Sequence, residues 1–136
     1  MPAEGHPVTA IPPSGRPSRW TVFAASWLLL AGIFNIVGGV TAIHRGGYYQ
    51  PHVVAGSITT WGWVMLIIGV LQMLAALLVF AGSPNGYALG IAVAMGVSLL
   101  WFFLVFAAPF GALIAVLMNA LVIYGLTIRL RPRYAV

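Results

Sequence analysis

The chain has no cysteine, no lysine and no aspartate, and its one acidic side chain is Glu4. Without Cys there is no disulfide, no thiolate metal site and no thiol nucleophile. With a single carboxylate, and that one near the start of the chain, a pair of general acid and base groups cannot be assembled. Charged residues make up 5% of the 136 residues and hydrophobic ones 62%. A soluble domain carries about 25% charged residues. A chain this short leaves much of its surface wet if it folds in water, so such a composition points to a bilayer as its solvent.

What charge there is lies mostly outside the apolar segments. Six Arg against one Glu give a formal charge of +5. Arg16, Arg19, Arg129, Arg131 and Arg133 flank the apolar part, and Arg45 stands alone between two segments. That arrangement fits a membrane surface and excludes nucleic acid as a partner, because no basic helical stripe or stacking platform accompanies it.

Residues 1–18, "MPAEGHPVTAIPPSGRPS", are rich in Pro, Gly and Ser and read as a disordered tail. A secretory signal peptide is not expected. The charged flank begins only at Arg16, and the run after it exceeds a roughly 7–15-residue apolar region. Four apolar segments follow, at about 20–43, 61–81, 87–107 and 109–128. Each is about 20 residues or a little more, enough at 1.5 Å per residue to cross a ~30 Å hydrocarbon core. The stretch from 87 to 128 is too long for one span, and Pro109 with Gly111 marks the turn. "GSPNG" at 82–86 reads as the turn before it. The larger loop, 44–60, carries Tyr48 and Tyr49 and leads to Trp61 and Trp63, an interfacial aromatic belt. Thr59 or Thr60 is the expected N-cap of the second helix.

The expected fold is therefore an all-α membrane protein, a four-transmembrane-helix bundle over 19–128. Four crossings put both ends on one side, and the Arg asymmetry assigns that side, with tails 1–18 and 129–136, to the cytoplasm. In the basic tail, Arg129, Arg131 and Arg133 are candidate contacts to anionic lipids of the inner leaflet.

Within the apolar segments, polar side chains stand out. "GIFNIVGGV" (32–40) and "GVLQMLAAL" (69–77) share a pattern of Gly, two apolar residues, a carboxamide, two apolar residues and two small ones. Positions 32, 35 and 39 fall on one helix face, and so do 69, 72 and 76. The third segment places Gly86, Gly90, Ala94 and Ser98 at steps of four, and the fourth places Gly111, Ala115 and Asn119 likewise. In lipid, close packing over small residues and interhelical hydrogen bonds hold helices together. Asn35, Gln72 and Asn119 are thus expected to face the bundle interior, with at least one pair in hydrogen-bond reach. They serve as interhelical glue or, alternatively, as a polar site at mid-depth. The match between 32–40 and 69–77 is also what a duplicated hairpin would leave behind.

No catalytic, cofactor or metal residues are expected. His44 and His52 share the loop but lack further ligands, and no His stands inside a segment to hold haem. Ser26, Ser57, Ser98, Thr59 and Thr60 have no base beside them, and back-bonding to a helix carbonyl is their ordinary role. Small four-helix multidrug exporters resemble this chain in length, but they depend on a membrane-embedded acid that none of its segments holds.

The run "ITTWGWVMLIIGVLQMLAALLVFAG" (58–82), with "AGIFNIVGGVTAI" before it and "LMNALVIYGLT" near the end, resembles small four-helix actinobacterial membrane proteins, the domain of unknown function 7144. The resemblance covers roughly residues 20–128, and "TTWGW" at 59–63 is its most specific element. It implies a bacterial plasma-membrane protein and carries no activity, ligand or catalytic residue with it. In that family's pattern an acidic residue often stands where this chain has Asn119, and a basic one often follows the turn where it reads Asn85, Gly86, Tyr87. A proton- or ion-coupled role through such an acid would be absent here. Two readings remain from the sequence: a non-enzymatic membrane protein that assembles with itself or with a membrane complex, and a small transporter or channel with a polar site at the amides.

Overall fold

A computed structural model of the protein describes residues 17–44, 57–103 and 109–130, with side chains as far as 128. Among them the elements are four helices: α1 (Arg19–His44), α2 (Ile58–Phe80), α3 (Pro84–Phe103) and α4 (Pro109–Leu130). All four are long and apolar enough to cross a membrane. The α1 helix has 26 residues, about 39 Å at 1.5 Å each, and so exceeds a ~30 Å core unless it tilts.

The helix ends show how the chain punctuates an almost uniformly apolar sequence. The α2 helix starts at Ile58, earlier than 61, and its cap is Ser57 rather than Thr59 or Thr60. Ser57 is extended (φ −81°, ψ 147°), and its Oγ accepts from the Thr60 amide at 3.2 Å while the two hydroxyls lie 2.8 Å apart. An N-cap has to be extended and reach the third amide ahead; Ser57 does this, and Thr60 becomes the residue it reaches.

At the other end of α2 the backbone closes a Schellman motif. Gly82 has φ 73°, its amide donates to the Val79 carbonyl at 3.0 Å, and the Ser83 amide donates to the Leu78 carbonyl at 2.9 Å. The turn is complete by Ser83, so α3 begins at Pro84 and not at Tyr87. Proline lacks the N–H that a first-turn residue leaves unpaired, which makes Pro84 the opening of the helix rather than part of the turn. The α4 helix begins at Pro109 for the same reason and runs two residues past the expected 128. Residues 104–107 of the expected third segment, tail 1–16, Arg45, Tyr48, Tyr49 and His52 lie outside the described residues.

The helices form a closed square. The α1 helix lies beside α2, α2 beside α3, α3 beside α4 and α4 beside α1, with only slight contact across the diagonals. Successive helices run antiparallel. The start of α1, the α2–α3 turn and the end of α4 share one end of the bundle, the terminal end. His44, Ile58, Phe103 and Pro109 share the other, the loop end. At the terminal end α1 and α4 touch closely: Thr21 Oγ1 donates to the Gly125 carbonyl at 3.4 Å, and the Trp20 and Tyr124 rings meet edge-on with centroids 5.7 Å apart.

The burial pattern is inverted relative to a soluble bundle. The inside is small: Ala24, Ala25, Ala75, Ala76 and Ala94 are fully buried. The outside is large and apolar: Phe34, Phe102, Phe103 and Phe110 are 67–81% exposed. Such a surface suits hydrocarbon and not water. One contiguous apolar core fills the terminal half. It takes Ala24, Ala25 and Leu28 from α1 and Ala75, Ala76 and Val79 from α2. It takes Tyr87 and Ala94 from α3, and Val122 and Leu126 from α4. Gly90 lets two leucines meet in its centre: a Cβ there would lie 2.8 Å from Leu126 Cδ1 and 3.2 Å from Leu28 Cδ1.

Candidate functional site

Toward the loop end, α1 and α2 are joined backbone to backbone. A Cβ on Gly32 would stand 2.9 Å from the Gly69 carbonyl oxygen, and one on Gly69 would stand 2.7 Å from the Gly32 carbonyl oxygen. Two turns farther, the same reciprocity links Gly39 and Gly62, at 2.6 Å and 2.9 Å. On each helix the two glycines are seven residues apart. A seven-residue repeat keeps one seam facing the partner along a left-handed crossing, so a missing Cβ at both levels brings the axes together over the whole contact.

The amides sit on this seam. Asn35 Nδ2 donates to Gln72 Oε1 at 2.7 Å. Asn35 is half-buried and Gln72 is 1% exposed. Each lies three residues past a glycine of the Gly32–Gly69 contact, but on antiparallel helices. Their Cα atoms therefore fall on opposite sides of the contact, about 9 Å apart along the axis at 1.5 Å per residue. Helical side chains lean toward their own N-terminus. Each amide thus leans back across the glycines, and the two meet over the Gly32–Gly69 contact. Neighbouring contacts obey the same local two-fold: Gly32 faces the Met73 amide nitrogen and Gly69 faces that of Ile36, at 3.0 Å and 2.8 Å from the added Cβ.

This geometry accounts for the likeness of 32–40 to 69–77 without a duplicated hairpin. Duplication would relate α1 to α3; the match relates α1 to its own neighbour. It also stops at the amides, since Gly39 is paired by Gly62 and not by Ala76.

Asn119 stands apart. It is 4% exposed, and it makes no side-chain hydrogen bond with any described residue. Of the three amides the structure joins two. The expected face of α4 is also corrected: Gly111 is exposed, and the inward line runs through Ala112, Asn119, Val122 and Leu126. Gly111 and Ala112 are both small and adjacent, and in a helix apolar all round nothing else marks which one faces in. On α3 the line Gly86, Gly90, Ala94 is buried and Ser98 half-buried, with Ser98 Oγ donating to the Ala94 carbonyl at 2.8 Å.

Several residues escape a reading of the sequence. Thr21, 1% exposed, bonds across to α4, and a Cβ on Gly125 would stand 2.6 Å from the Trp20 carbonyl oxygen. The seven-residue spacing of Gly62 and Gly69, matching that of Gly32 and Gly39, is the one signal that could have revealed the seam. The Arg129 side chain, Arg131 and Arg133 lie outside the described residues.

Not every small residue is used inside. Ala88, Ala92 and Gly96 form an exposed line along α3 at steps of four, and a Cβ on Gly96 would meet nothing within 4 Å. Apolar grooves of about 500 Å³ and 530 Å³ run on its two sides, one toward α4 and one toward α2.

Residues 20–131 match a family described as "Domain of unknown function (DUF7144)". No curated protein and no solved structure matches the chain.

Proposed function

The chain belongs to the DUF7144 family, and from that premise we propose that it is a non-enzymatic multi-pass protein of the bacterial plasma membrane. It assembles with itself or serves as a small accessory subunit of a membrane complex. The observation that carries this reading is the exposed line Ala88, Ala92, Gly96. The glycines on α1 and α2 serve the bundle's own seam, whereas Gly96 sits open between two grooves. A line of small residues at steps of four is the surface on which a second helix packs closely in lipid. The near absence of carboxylates and the lack of Cys support the non-enzymatic part.

The test is a cross-linking and mass-spectrometry measurement on the chain purified from native membranes in mild detergent. Self-association or a co-purifying membrane subunit that is lost in Gly96→Leu supports assembly. A monomer without partners, or an association indifferent to Gly96→Leu, removes it.

The Arg asymmetry supports an orientation with both tails cytoplasmic and Arg129, Arg131 and Arg133 against anionic lipids of the inner leaflet. In this Cys-free chain, single Cys probes at Ser14, Ser57 and Val136 read the orientation. An impermeant thiol reagent outside intact cells should label only the Ser57 position, and labelling of the tails instead reverses it. Replacing the three Arg with Gln should weaken a salt-sensitive hold on anionic liposomes; unchanged binding removes the lipid contact. A second reading, a small transporter or channel with a polar site at mid-membrane, is favoured by one observation: Asn119 is buried without a partner among the described residues. Flux of a small neutral solute into proteoliposomes, abolished in Asn119→Leu, is its test, and flux no greater than through protein-free liposomes ends it.

A further inference from the structure

We propose that the loop end of the α3–α4 hairpin does not emerge into water but is held in lipid, at the inner edge of the headgroup layer. Its partner is the acyl chains of the leaflet at that end. The inference deepens the multi-pass reading, and it rests on that reading for the bilayer itself.

Length carries it. At the terminal end the helices are level. A Cβ on Gly86 would meet Leu78 and Val79, which sets the base of α3 beside the end of α2. A Cβ on Gly125 would meet the Trp20 carbonyl, which sets the end of α4 beside the start of α1. From Asn85 at that base to Phe103, α3 rises about 27 Å at 1.5 Å per residue, and α4 rises the same from Thr127 back to Pro109. Both fall short of a ~30 Å core, and any tilt shortens them further. The first hairpin does not fall short. From the matching levels, α1 rises about 36 Å between Trp20 and His44, and α2 about 32 Å between Val79 and Ile58. Since the bases are level, the difference of roughly 4–9 Å falls at the loop end.

The chemistry of the two ends follows the same division. The first hairpin ends in exposed polar side chains, His44 on α1 and Ser57, Thr59 and Thr60 at the start of α2. The second ends in Phe102, Phe103 and Phe110, all strongly exposed. Between Ser98 and Asn119 the sequence holds one side-chain nitrogen, on Trp101, and no side-chain oxygen. In water those three rings would be hydrated with no polar side chain beside them; among acyl chains they would not be hydrated at all. Pro109 also removes from the first turn of α4 one N–H that hydrocarbon could not satisfy. The other free backbone groups of the two helix ends still need donors and acceptors, which holds the tip at the edge of the headgroups and no deeper.

Thiol reactivity and spin labels test this in the Cys-free chain. Single Cys is placed at Phe103, Phe110, Ser57 and Leu117, and each full-length variant is reconstituted in liposomes at low protein density. A charged methanethiosulfonate reagent is applied to both faces. A thiol whose pKa apolar surroundings raise by one unit reacts about tenfold more slowly near neutral pH. Ser57→Cys should therefore react at least about tenfold faster than Phe103→Cys and Phe110→Cys. Equal rates at the three sites overturn the proposal. Nitroxides on the same Cys then identify what keeps the tip dry. Among acyl chains a nitroxide collides often with dissolved oxygen and rarely with a water-soluble nickel complex; inside protein it collides rarely with both. Oxygen contact at Phe103 and Phe110 is the expected result. Protection from both agents overturns the lipid partner in favour of a second copy of the chain. Leu117, exposed on α4 about two turns from Pro109, separates this inference from the reading beneath it. Oxygen contact at Leu117 with nickel contact at Phe103 and Phe110 removes the lipid-held tip alone. Nickel contact at Leu117 removes the multi-pass reading and the tip with it.

Discussion

The two helical hairpins part company toward the loop end. In α1–α2, Gly32 meets Gly69 and Gly39 meets Gly62, so the backbones touch and a pair of amides closes over the contact. In α3–α4, a Cβ on Gly96 would meet nothing within 4 Å, and Asn119 makes no side-chain hydrogen bond with any described residue. Both hairpins are antiparallel, apolar and of similar length. What separates them is whether the small residues of one helix fall opposite those of the next. With no hydrophobic effect to press helices together in lipid, that coincidence decides how near the backbones come, and so whether a short polar side chain can reach across.

The comparison breaks most severely at the seam. Gly69→Leu puts a side chain where even a Cβ would stand 2.7 Å from a carbonyl oxygen. A loss of about 3 kcal/mol is expected, at the upper end for overpacking, because the obstacle is backbone rather than a flexible side chain. Unfolding in mixed micelles followed by far-UV circular dichroism measures it. Native stability in this variant would mean the helices are not held together at this point.

Next in size is the amide pair. Asn35→Leu should cost ~1 kcal/mol, within the range for interhelical hydrogen bonds in membranes, and Gln72→Leu little more once Asn35 is gone. A double-mutant cycle reports the coupling; strictly additive losses would sink the pairing. Ser57→Ala, which removes the cap at the start of the zipped hairpin's second helix, should cost about 1 kcal/mol, while Thr60→Ala costs less because the Thr60 amide remains. An equal loss in both would transfer the capping role to the hydroxyl pair. The smallest effect has the opposite sign. Gly96→Ala adds a methyl to open space in a helix and should stabilise by about 0.5–1 kcal/mol. A clear loss there, in the monomer, would show that α3 is packed against something at that level.

The four long apolar helices, the turn near 82, the helix start at Pro109 and the meeting of Asn35 with Gln72 were legible in the sequence, each for a local reason. Span length follows from rise per residue, turns from Gly and Pro, and the amide pair from two similar motifs on helices joined by one loop. What was not legible depended on rotation. A soluble helix announces its inner face by its apolar stripe; these helices are apolar all round, so only small or polar residues mark the interior. On α4, Gly111 and Ala112 are equivalent markers, and the structure selects Ala112. Asn119 was rightly placed inside, but whether it meets Gln72 depends on how far apart the hairpins stand, and residue spacing holds no information on that. The cap at Ser57 was hidden among several hydroxyls within four residues.

The edge-on meeting of Trp20 with Tyr124 and the contact of Gly125 with the Trp20 carbonyl give the bundle a cyclic order. Each helix has two neighbours, α4 packs beside α1 although less closely than α2 does, and the chain's own numbering is only one way to cut the ring. The Gly82–Ser83 turn, where a Cβ on Gly82 would meet nothing within 4 Å, is a second place to cut. A circular permutant beginning at Ser83, with a flexible linker joining the old ends, would traverse the helices in the order α3, α4, α1, α2 and retain every interhelical contact described. In that chain the glycine seam would form last during synthesis instead of first, which makes the order of insertion separable from the architecture it produces.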